Sequence, residues 1–568
     1  MTSVKINPDL QKERDSCTFN TEELTNFFDA GDKYTRKRRE LENKIFSIKE
    51  LKDEIPDEYL SHKEKYENAL RKAVLLLKAL KKIGYSRNFE DSIHTGIFKD
   101  GSPFMLQYSM FIPTLQGMAD EEQKRRWLNR AMNFEIIGTY AQTELGHGTF
   151  IRGLETQAIY DEKTEEFILH SPTLTAYKWW PGGLAHTANY CIVMAQLIIK
   201  GKNHGMQPFI VQIRDEETHM PLPGIKVGEI GPKLTFSGVN NGFLGFEHVR
   251  IPRENMLMKY NQVLKDGTFK SNPNSKLTYG TMVYVRVTIV FGAATQLARA
   301  VTIAVRYSAV RRQSREPEPQ ILDYATQQHK LFIGIATSHA YTLLAYWLWD
   351  IYTSFKKDLE SGNLDRLPEL HSLTCVLKVV SSKDCTRLVE QCRMSCGGHG
   401  FMMSSSLPQI YGLATAACTY EGENTVLLLQ TAHGRAVVMS VYKSEIDKYA
   451  STVSTGLKTV LYQLVELYAI YMVLQKMGDM LLYGNLTEAD VTVLQRRYEE
   501  LLELLRPNAV GLVDAFDFRD EVLSSTLGSY DGFAYERLME EAMKSPLNAE
   551  PVNQSFEKYM KPLMKGKL

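Results

Sequence analysis

The hydrophobic period of this 568-residue chain switches twice, and that switch restricts the possible folds more than any single motif. Up to about Asn133 the apolar residues recur at helical spacing. In HKEKYENALRKAVLLLKALKKIG, Tyr66, Leu70, Ala73, Val74, Leu77 and Leu80 share one face, and Gly84 stands where a helix C-cap belongs. Between about Glu135 and Lys276 glycine and proline are frequent and the apolar runs are short: EFILHSPT, YCIVMAQLII, QPFIVQIRD. Phe209, Val211 and Ile213 alternate as in a half-buried strand. From Leu277 the helical period returns and persists, with Leu461, Leu464, Val465, Tyr468 and Met472 forming one stripe. The order predicts an α+β fold: an N-terminal helical domain (1–134), a central β-barrel-like domain (135–276) and two C-terminal helical bundles (277–436 and 437–568).

Charge narrows the function classes. Lys+Arg and Asp+Glu balance at 67 each, so no basic excess exists to hold a phosphate backbone, and nucleic acid is not an expected partner. Seven scattered cysteines point to a reducing compartment. The N-terminus, MTSVKINPDLQKERDS, has no apolar h-region. No uninterrupted apolar run reaches membrane-spanning length, AYTLLAYWLWD breaking within a few turns, so no transmembrane segment is expected. The final Gly566-Lys567-Leu568 resembles the Ser-Lys-Leu peroxisomal address, with glycine in place of serine.

Four segments carry candidate chemistry. GTYAQTELGHGTFIRGLETQA (138–158) holds Gly146, Gly148 and Gly153, either a tight helix-to-strand turn or a close approach to something flat or anionic. KWWPGGL (178–184) places adjacent tryptophans before a sharp turn, suited to stacking on a planar ligand or to flanking the turn in the core. In CRMSCGGHGF (392–401), Cys392, Cys396 and His399 lack a fourth ligand and a strong zinc spacing, so no metal is expected; Gly397-Gly398 permits close backbone approach. CTYEGENTVLLLQTAHGR (418–435) presses Glu421 and Glu423 against an apolar run, which is costly unless a carboxylate is solvated, paired or used.

TYAQTELGHGT, KWWPGGL, VRRQS, CGGHGF and TYEGENTVLLLQTA, in that order, resemble the acyl-CoA oxidase family of the acyl-CoA dehydrogenase-like flavoproteins. IPRENML (251–257) resembles the end of the superfamily's β domain. LRPNAVGLVDAFDF (505–518), SPLN (545–548) and NPDLQKERDSCTFN (7–20) resemble the oxidases in particular. The resemblance implies FAD between the β domain and a helical bundle, and a fatty acyl-CoA substrate. A glutamate there removes the α-proton, the β-hydrogen leaves as hydride to the flavin, and molecular oxygen then yields hydrogen peroxide. The base falls on Glu421. Apolar surroundings would raise its pKa toward what an α-proton needs, while a helix starting near Glu423 would lower it. Gly422 gives the backbone room. Glu423 is assigned no catalytic role.

Flavin contacts carry over to Thr143 and Gly182. Arg311 and Gln313 match a pair that related enzymes contribute from the neighbouring subunit, and Arg311-Arg312 also suits a solvated helix face. Gly397 and Gly398 would approach the adenine end, implying a homodimer, or a heterodimer with a paralogue. The terminal tripeptide implies a peroxisomal import receptor and a peroxisomal location.

One departure stands out. Many relatives continue after LLLQTA through a long segment, whereas here HGRAVVMSVYKSEIDKYA leads quickly to the last bundle. Three functions are weighed: an oxidase, a dehydrogenase passing electrons to an electron-transfer protein, and a non-catalytic acyl-CoA-binding subunit.

Overall fold

The computed structural model describes residues 5–85, 92–271, 280–360, 363, 365–429, 434–484 and 486–564. The expected boundary at 276/277, the junction residues Gln430–His433 and the terminal Gly566-Lys567-Leu568 lie outside the described residues.

The α+β order is as the sequence predicts. The first helices are α1 (Pro8–Asp15), α2 (Thr21–Phe28), α3 (Asp32–Phe46) and α4 (His62–Ile83). In α4, Ser61 and Glu64 form a reciprocal capping box, and Gly84 ends the helix in the left-handed region at φ 70°. Its buried face runs through Ala69, Lys72, Ala73, Leu76 and Leu80, rotated from the expected stripe, so Val74 is exposed. The rotation follows from Lys72, whose buried ammonium meets Asp53 at 2.7 Å.

The strands are β1 (Gly138–Ala141), β2 (Gln157–Asp161), β3 (Glu166–His170), β4 (Lys178–Trp179), β5 (Tyr190–Ile199), β6 (Lys202–Gln212), β7 (Ile225–Glu229), β8 (Gly242–Phe246) and β9 (Val249–Pro252). β5 is the spine of a curled sheet, parallel to β1 and β2 and antiparallel to β6, with β3 and β9 beyond β2. A second sheet has the order β4-β8-β7. The expectation of a half-buried strand at 209–213 is corrected here. Phe209 and Val211 face the inside of the curl, but Ile210 is equally buried because Phe111, Leu115 and Trp127 cover the outer face. Both faces are buried, as in sheets sandwiched by helices.

The bundle is built on α5 (Gly280–Val310), α6 (Ala325–Glu360), α7 (Leu367–Ser395), α8 (Leu407–Ala416), α9 (Asn424–Leu428), α10 (Gly434–Tyr449), α11 (Thr455–Leu474), α12 (Glu488–Leu505) and α13 (Ala509–Asp514). α5 is rich in Val, Ile and Thr, poor helix formers, yet burial on every side overrides propensity. α10 runs unbroken across position 436. Leu10, Phe19, Leu24 and Phe28 of the first two helices belong to this bundle's core.

The two terminal segments meet here. Asn508 Oδ1 accepts from the amide and the hydroxyl of Thr18, each at 2.9 Å. Asp514 lies between Arg14 at 2.7 Å and Arg306 of α5 at 2.8 Å.

Three stretches, Met282–Val310, Ala325–Asp358 and Thr455–Leu474, are long and apolar enough to cross a membrane by length and composition, which corrects the expectation that none would be. Most of the first two and half of the third lie buried inside the fold, where interior packing demands that apolarity.

Candidate active site

Glu421 sits on the turn between α8 and α9, half-buried and at φ 57°, in the left-handed region that non-glycine residues seldom adopt. Two long helices hold that turn. Arg286 of α5 donates Nε to the carbonyl of Glu421 at 3.2 Å, and Lys378 of α7 donates Nζ to the carbonyl of Gly422 at 2.6 Å. Lys378 also reaches Asn424 Oδ1 at 2.9 Å, and Asn424 Nδ2 donates to Ser382 Oγ at 3.0 Å. Gly422 has φ 105°, and a Cβ there would lie 2.8 Å from Leu427 Cδ2. Only glycine fits.

Electrostatics follow from this packing. Burial pushes the Glu421 carboxyl above its ordinary range, against the opposing charges of Arg286 and Lys378. Burial pulls the Lys378 ammonium down to about 8. Tyr140, at the end of β1, is raised first by burial and then by the nearby Glu421 charge, which places the two within electrostatic reach. Glu423 is the N-cap of α9, accepting from the amides of Thr425 at 2.9 Å and Val426 at 3.2 Å, and those bonds hold its carboxyl below the usual range. The two acids of EGEN are thus shifted in opposite directions.

A cavity lined by apolar side chains such as Phe98, Phe104 and Ile289 and by polar ones such as Ser382 and Gln296 opens beside Tyr420 and runs along α5. Phe236 meets Tyr420 edge-on at 6.4 Å.

The other singled-out residues fall into two groups. Thr143 and Gly182 lie at the edge of the β module, on Glu421's side. Thr143 is half-buried; its carbonyl accepts from the Trp179 amide at 2.9 Å, and among the described residues no hydrogen bond reaches its hydroxyl. Gly182 is required by close packing, since a Cβ would meet Val239 at 2.5 Å and Leu106 at 2.9 Å. Trp179 stacks on Phe243 and is half-buried; Trp180, at φ 87°, is 53% exposed, so the pair is not a core pair. Beneath Thr143, Glu144 pairs with the fully buried Lys178 at 2.9 Å and accepts from the amides of Glu155 and Thr156.

The second group is Arg311, Gln313, Gly397 and Gly398, at the far end of α5. Arg311 donates to Gln313 Oε1 at 2.9 Å and to Tyr535 at 3.0 Å. Tyr307, whose carbonyl accepts from the Arg311 amide, bonds His399 beside the two glycines at 2.8 Å. Gly397 and Gly398 are exposed, with open space where a Cβ would stand. Cys392 and Cys396 are packed in the bundle core, and His399 is turned to Tyr307. The 25 residues from Arg286 to Arg311 span roughly 37 Å of helix, so one chain holds the two groups at opposite ends.

Arg286 and Lys378 were not singled out in the sequence. Their signal is faint but present: each is a lone charge in an otherwise apolar helical run, TMVYVRVTIV and CVLKVV.

Family comparisons agree with this geometry. Family models match at residues 20–137 (acyl-coenzyme A oxidase N-terminal), 279–435 (acyl-CoA oxidase, C-alpha1 domain) and 424–565 (acyl-CoA oxidase), the last two overlapping at 424–435. Acyl-coenzyme A oxidase 1 of Drosophila melanogaster is 44% identical over 669 aligned positions, covering 100% of both chains. Peroxisomal acyl-coenzyme A oxidase 1 of Rattus norvegicus is 41% identical, covering 98% of this chain and 99% of its own. Because the fly alignment spans 669 positions and this chain has 568 residues, at least 101 of those positions have no residue of this chain. Acyl-CoA oxidase-2 of Caenorhabditis elegans, solved with FAD, ascaroside-CoA and ATP, superposes with a TM-score of 0.94 at 35% identity, covering 99% of this chain and 98% of its own. With identity above 40% across almost the whole chain and three matching family models, the chain belongs to the acyl-CoA oxidase family.

Proposed function

We propose that the protein is an FAD-dependent oxidase of fatty acyl-CoA, forming trans-2-enoyl-CoA in the first step of peroxisomal β-oxidation. The observation that carries this reading is Glu421, a carboxyl raised by burial on a turn whose carbonyls are held by Arg286 and Lys378, next in sequence to Tyr420 of the cavity wall. An α-proton beside a thioester is a weak acid, and a carboxylate with raised proton affinity is suited to take it. The left-handed backbone at Glu421 and the glycine after it turn the side chain away from the helix that follows, so the α9 amides serve Glu423 instead. Bound FAD supplies the hydride acceptor for the β-hydrogen and passes the electrons to molecular oxygen, giving hydrogen peroxide.

The residues present fit that cofactor. Thr143 offers an uncommitted hydroxyl at the sheet edge, while Arg311 and the exposed Gly397 and Gly398 offer charge and bare backbone for a nucleotide. Since one chain holds these groups at opposite ends of α5, the reading includes a dimer in which Arg311 and Gln313 serve the neighbouring subunit's flavin. A homodimer is the simplest form, and a paralogue presenting the same face would also complete the site. Peroxisomal location is supported by the names of the mammalian relatives and by the terminal Gly566-Lys567-Leu568, which an import receptor would read.

The shortened junction is the observation favouring a non-catalytic acyl-CoA-binding subunit, and Leu428 at the end of α9 and Leu429, just before the junction, are exposed. Retention of Glu421 with both its clamps favours catalysis. Mixing the FAD-loaded protein with acyl-CoA and then oxygen separates the readings. Peroxide in proportion to enoyl-CoA supports the oxidase. Enoyl-CoA only with an added electron acceptor indicates a dehydrogenase, and binding without flavin bleaching indicates the non-catalytic subunit.

A further inference from the structure

Proton and hydride transfer make no direct use of the Lys178–Glu144 pair, whose two side chains are wholly shielded from solvent. Lys178 Nζ has three N–H groups and three acceptors. They are Glu144 Oε1 at 2.9 Å, the carbonyl of Gln142 at 3.1 Å and the carbonyl of Met194, on β5, at 2.7 Å. Glu144 also accepts from the amides of Glu155 at 2.7 Å and Thr156 at 2.9 Å, and from the Thr156 hydroxyl at 2.6 Å. Replacing a buried ion pair by apolar side chains of similar volume is often neutral or stabilising, so net stability does not account for this one. What it supplies, and apolar packing does not, is a fixed set of bond directions.

Those bonds bracket Thr143. Lys178 holds the carbonyl of the residue before it and the carboxylate of the residue after it, while the Trp179 amide donates to the carbonyl of Thr143 itself at 2.9 Å. Leu145 and Gly146 continue the pairing, donating to the carbonyls of Tyr177 at 2.8 Å and Thr175 at 3.0 Å. The bond to Met194 ties the ammonium to the spine of the sheet. The Gln142 side chain is fixed as well, its Oε1 accepting from the Tyr140 hydroxyl at 3.0 Å. Within this frame the Thr143 hydroxyl has no hydrogen bond among the described residues. A segment held on both sides with one polar group left over presents that group outward.

We propose that Lys178 and Glu144 are positioning residues for the flavin. They fix residues 142–144 so that the Thr143 hydroxyl bonds the isoalloxazine ring in one geometry, and through that bond they set how strongly the reduced ring is favoured over the oxidised one. Both side chains are wholly buried by protein, so their effect passes through Thr143. Such a contact tolerates an error of only about 0.5 Å, which is what a supporting shell of locked side chains provides. This inference rests on the reading that FAD lies against Thr143.

The test is the midpoint potential of bound FAD, measured by dye-equilibrated anaerobic reduction of the FAD-loaded full chain without acyl-CoA. Four proteins are compared: wild type, Thr143→Val, the paired replacement Lys178→Met with Glu144→Gln, and all three changes combined. The paired replacement removes both charges together and leaves no buried charge unpaired. Thr143→Val should change the preference for reduced over oxidised flavin by about tenfold, a shift of roughly 30 mV for a two-electron couple. The paired replacement alone should shift it in the same direction by at least about fivefold, and should add less than about twofold once Thr143 is valine. An unchanged potential in Thr143→Val or in the paired replacement overturns the proposal. So does a paired replacement whose shift is the same with and without the Thr143 hydroxyl; a purely structural pair would lower the Tm of the apoprotein and leave the potential alone. A wild type that retains no FAD defeats the flavoprotein reading and the proposal together, whereas the other negative results leave that reading standing. If the paired replacement does not fold, Glu144→Asp, which keeps both charges and shortens the carboxylate arm, carries the decision by the same comparison.

Discussion

Replacing Gly422 with alanine should disable the base turn without unfolding the protein. The residue stands at φ 105°, where a side chain costs about 1–3 kcal/mol of backbone strain. The new methyl would also lie 2.8 Å from Leu427 Cδ2, and relieving that overlap in a packed site costs a further ~1–3 kcal/mol. Leu427 is buried against Cys375 and Val379, so it has little room to retreat. The cheaper response is movement of the 421–424 turn, which stretches the bonds from Arg286 and Lys378 and shifts the Glu421 carboxylate. A displacement of about 1 Å lowers a rate by roughly a hundredfold. The assay is stopped-flow flavin bleaching with an acyl-CoA, with FAD content and Tm measured alongside. We expect bleaching to slow by ten- to a hundredfold, with FAD retained and Tm lowered by a few degrees at most. Bleaching of Gly422→Ala at the wild-type rate would refute the argument that this turn positions the base.

Three further outcomes are expected. Flavin bleaching should rise with pH as Glu421 ionises, over a range set above that of an ordinary carboxylate, and should fall again as Lys378 loses its proton near 8; in Lys378→Met the alkaline fall disappears. Asp514→Ala should cost about 3–5 kcal/mol by leaving Arg306 buried without its partner. Burial alone would raise the Asp514 carboxyl, but Arg306 and Arg14 hold it below its usual range, so this stability is present above the ordinary carboxylate range and lost as pH falls through the depressed folded value; denaturant titrations of wild type and variant should converge toward acid. Gly398→Ala meets no atom within 4 Å in the single chain, so it should leave monomer folding intact; lost FAD retention or dimerisation, read by absorbance and light scattering, would show that a partner or nucleotide lies against it.

Much of this fold is legible in the sequence because periodicity reports burial. The α4 cap, the strand at 190–199 and the stripe of α11 appear where spacing puts them. Single-face reasoning fails where an element is covered on both sides. Ile210 is buried because N-terminal helices lie over the sheet, and no local pattern at 207–213 contains that information. Val74 faces outward because Lys72, which a hydrophobic pattern scores as a surface residue, turns inward to Asp53. The docking of residues 7–28 onto the C-terminal bundle is equally non-local, although the same two segments were the ones resembling oxidases in particular. At the site, Glu421 is readable from EGEN, and the distinct fates of Glu421 and Glu423 follow once the helix start is known. Arg286 and Lys378 emerge only when α5 and α7 are packed against the turn at 421–422, because each is a lone charge that bonds a backbone carbonyl there.

The most direct test of the central claim is anaerobic mixing of FAD-loaded wild type and Glu421→Gln with hexadecanoyl-CoA. Glutamine keeps the size and hydrogen-bonding surface of the side chain but cannot accept the α-proton. We expect the wild type to bleach its flavin and the variant to bind the thioester while bleaching at least about a thousandfold more slowly. A Glu421→Gln protein that bleaches at the wild-type rate would contradict the assignment of the base and the mechanism built on it.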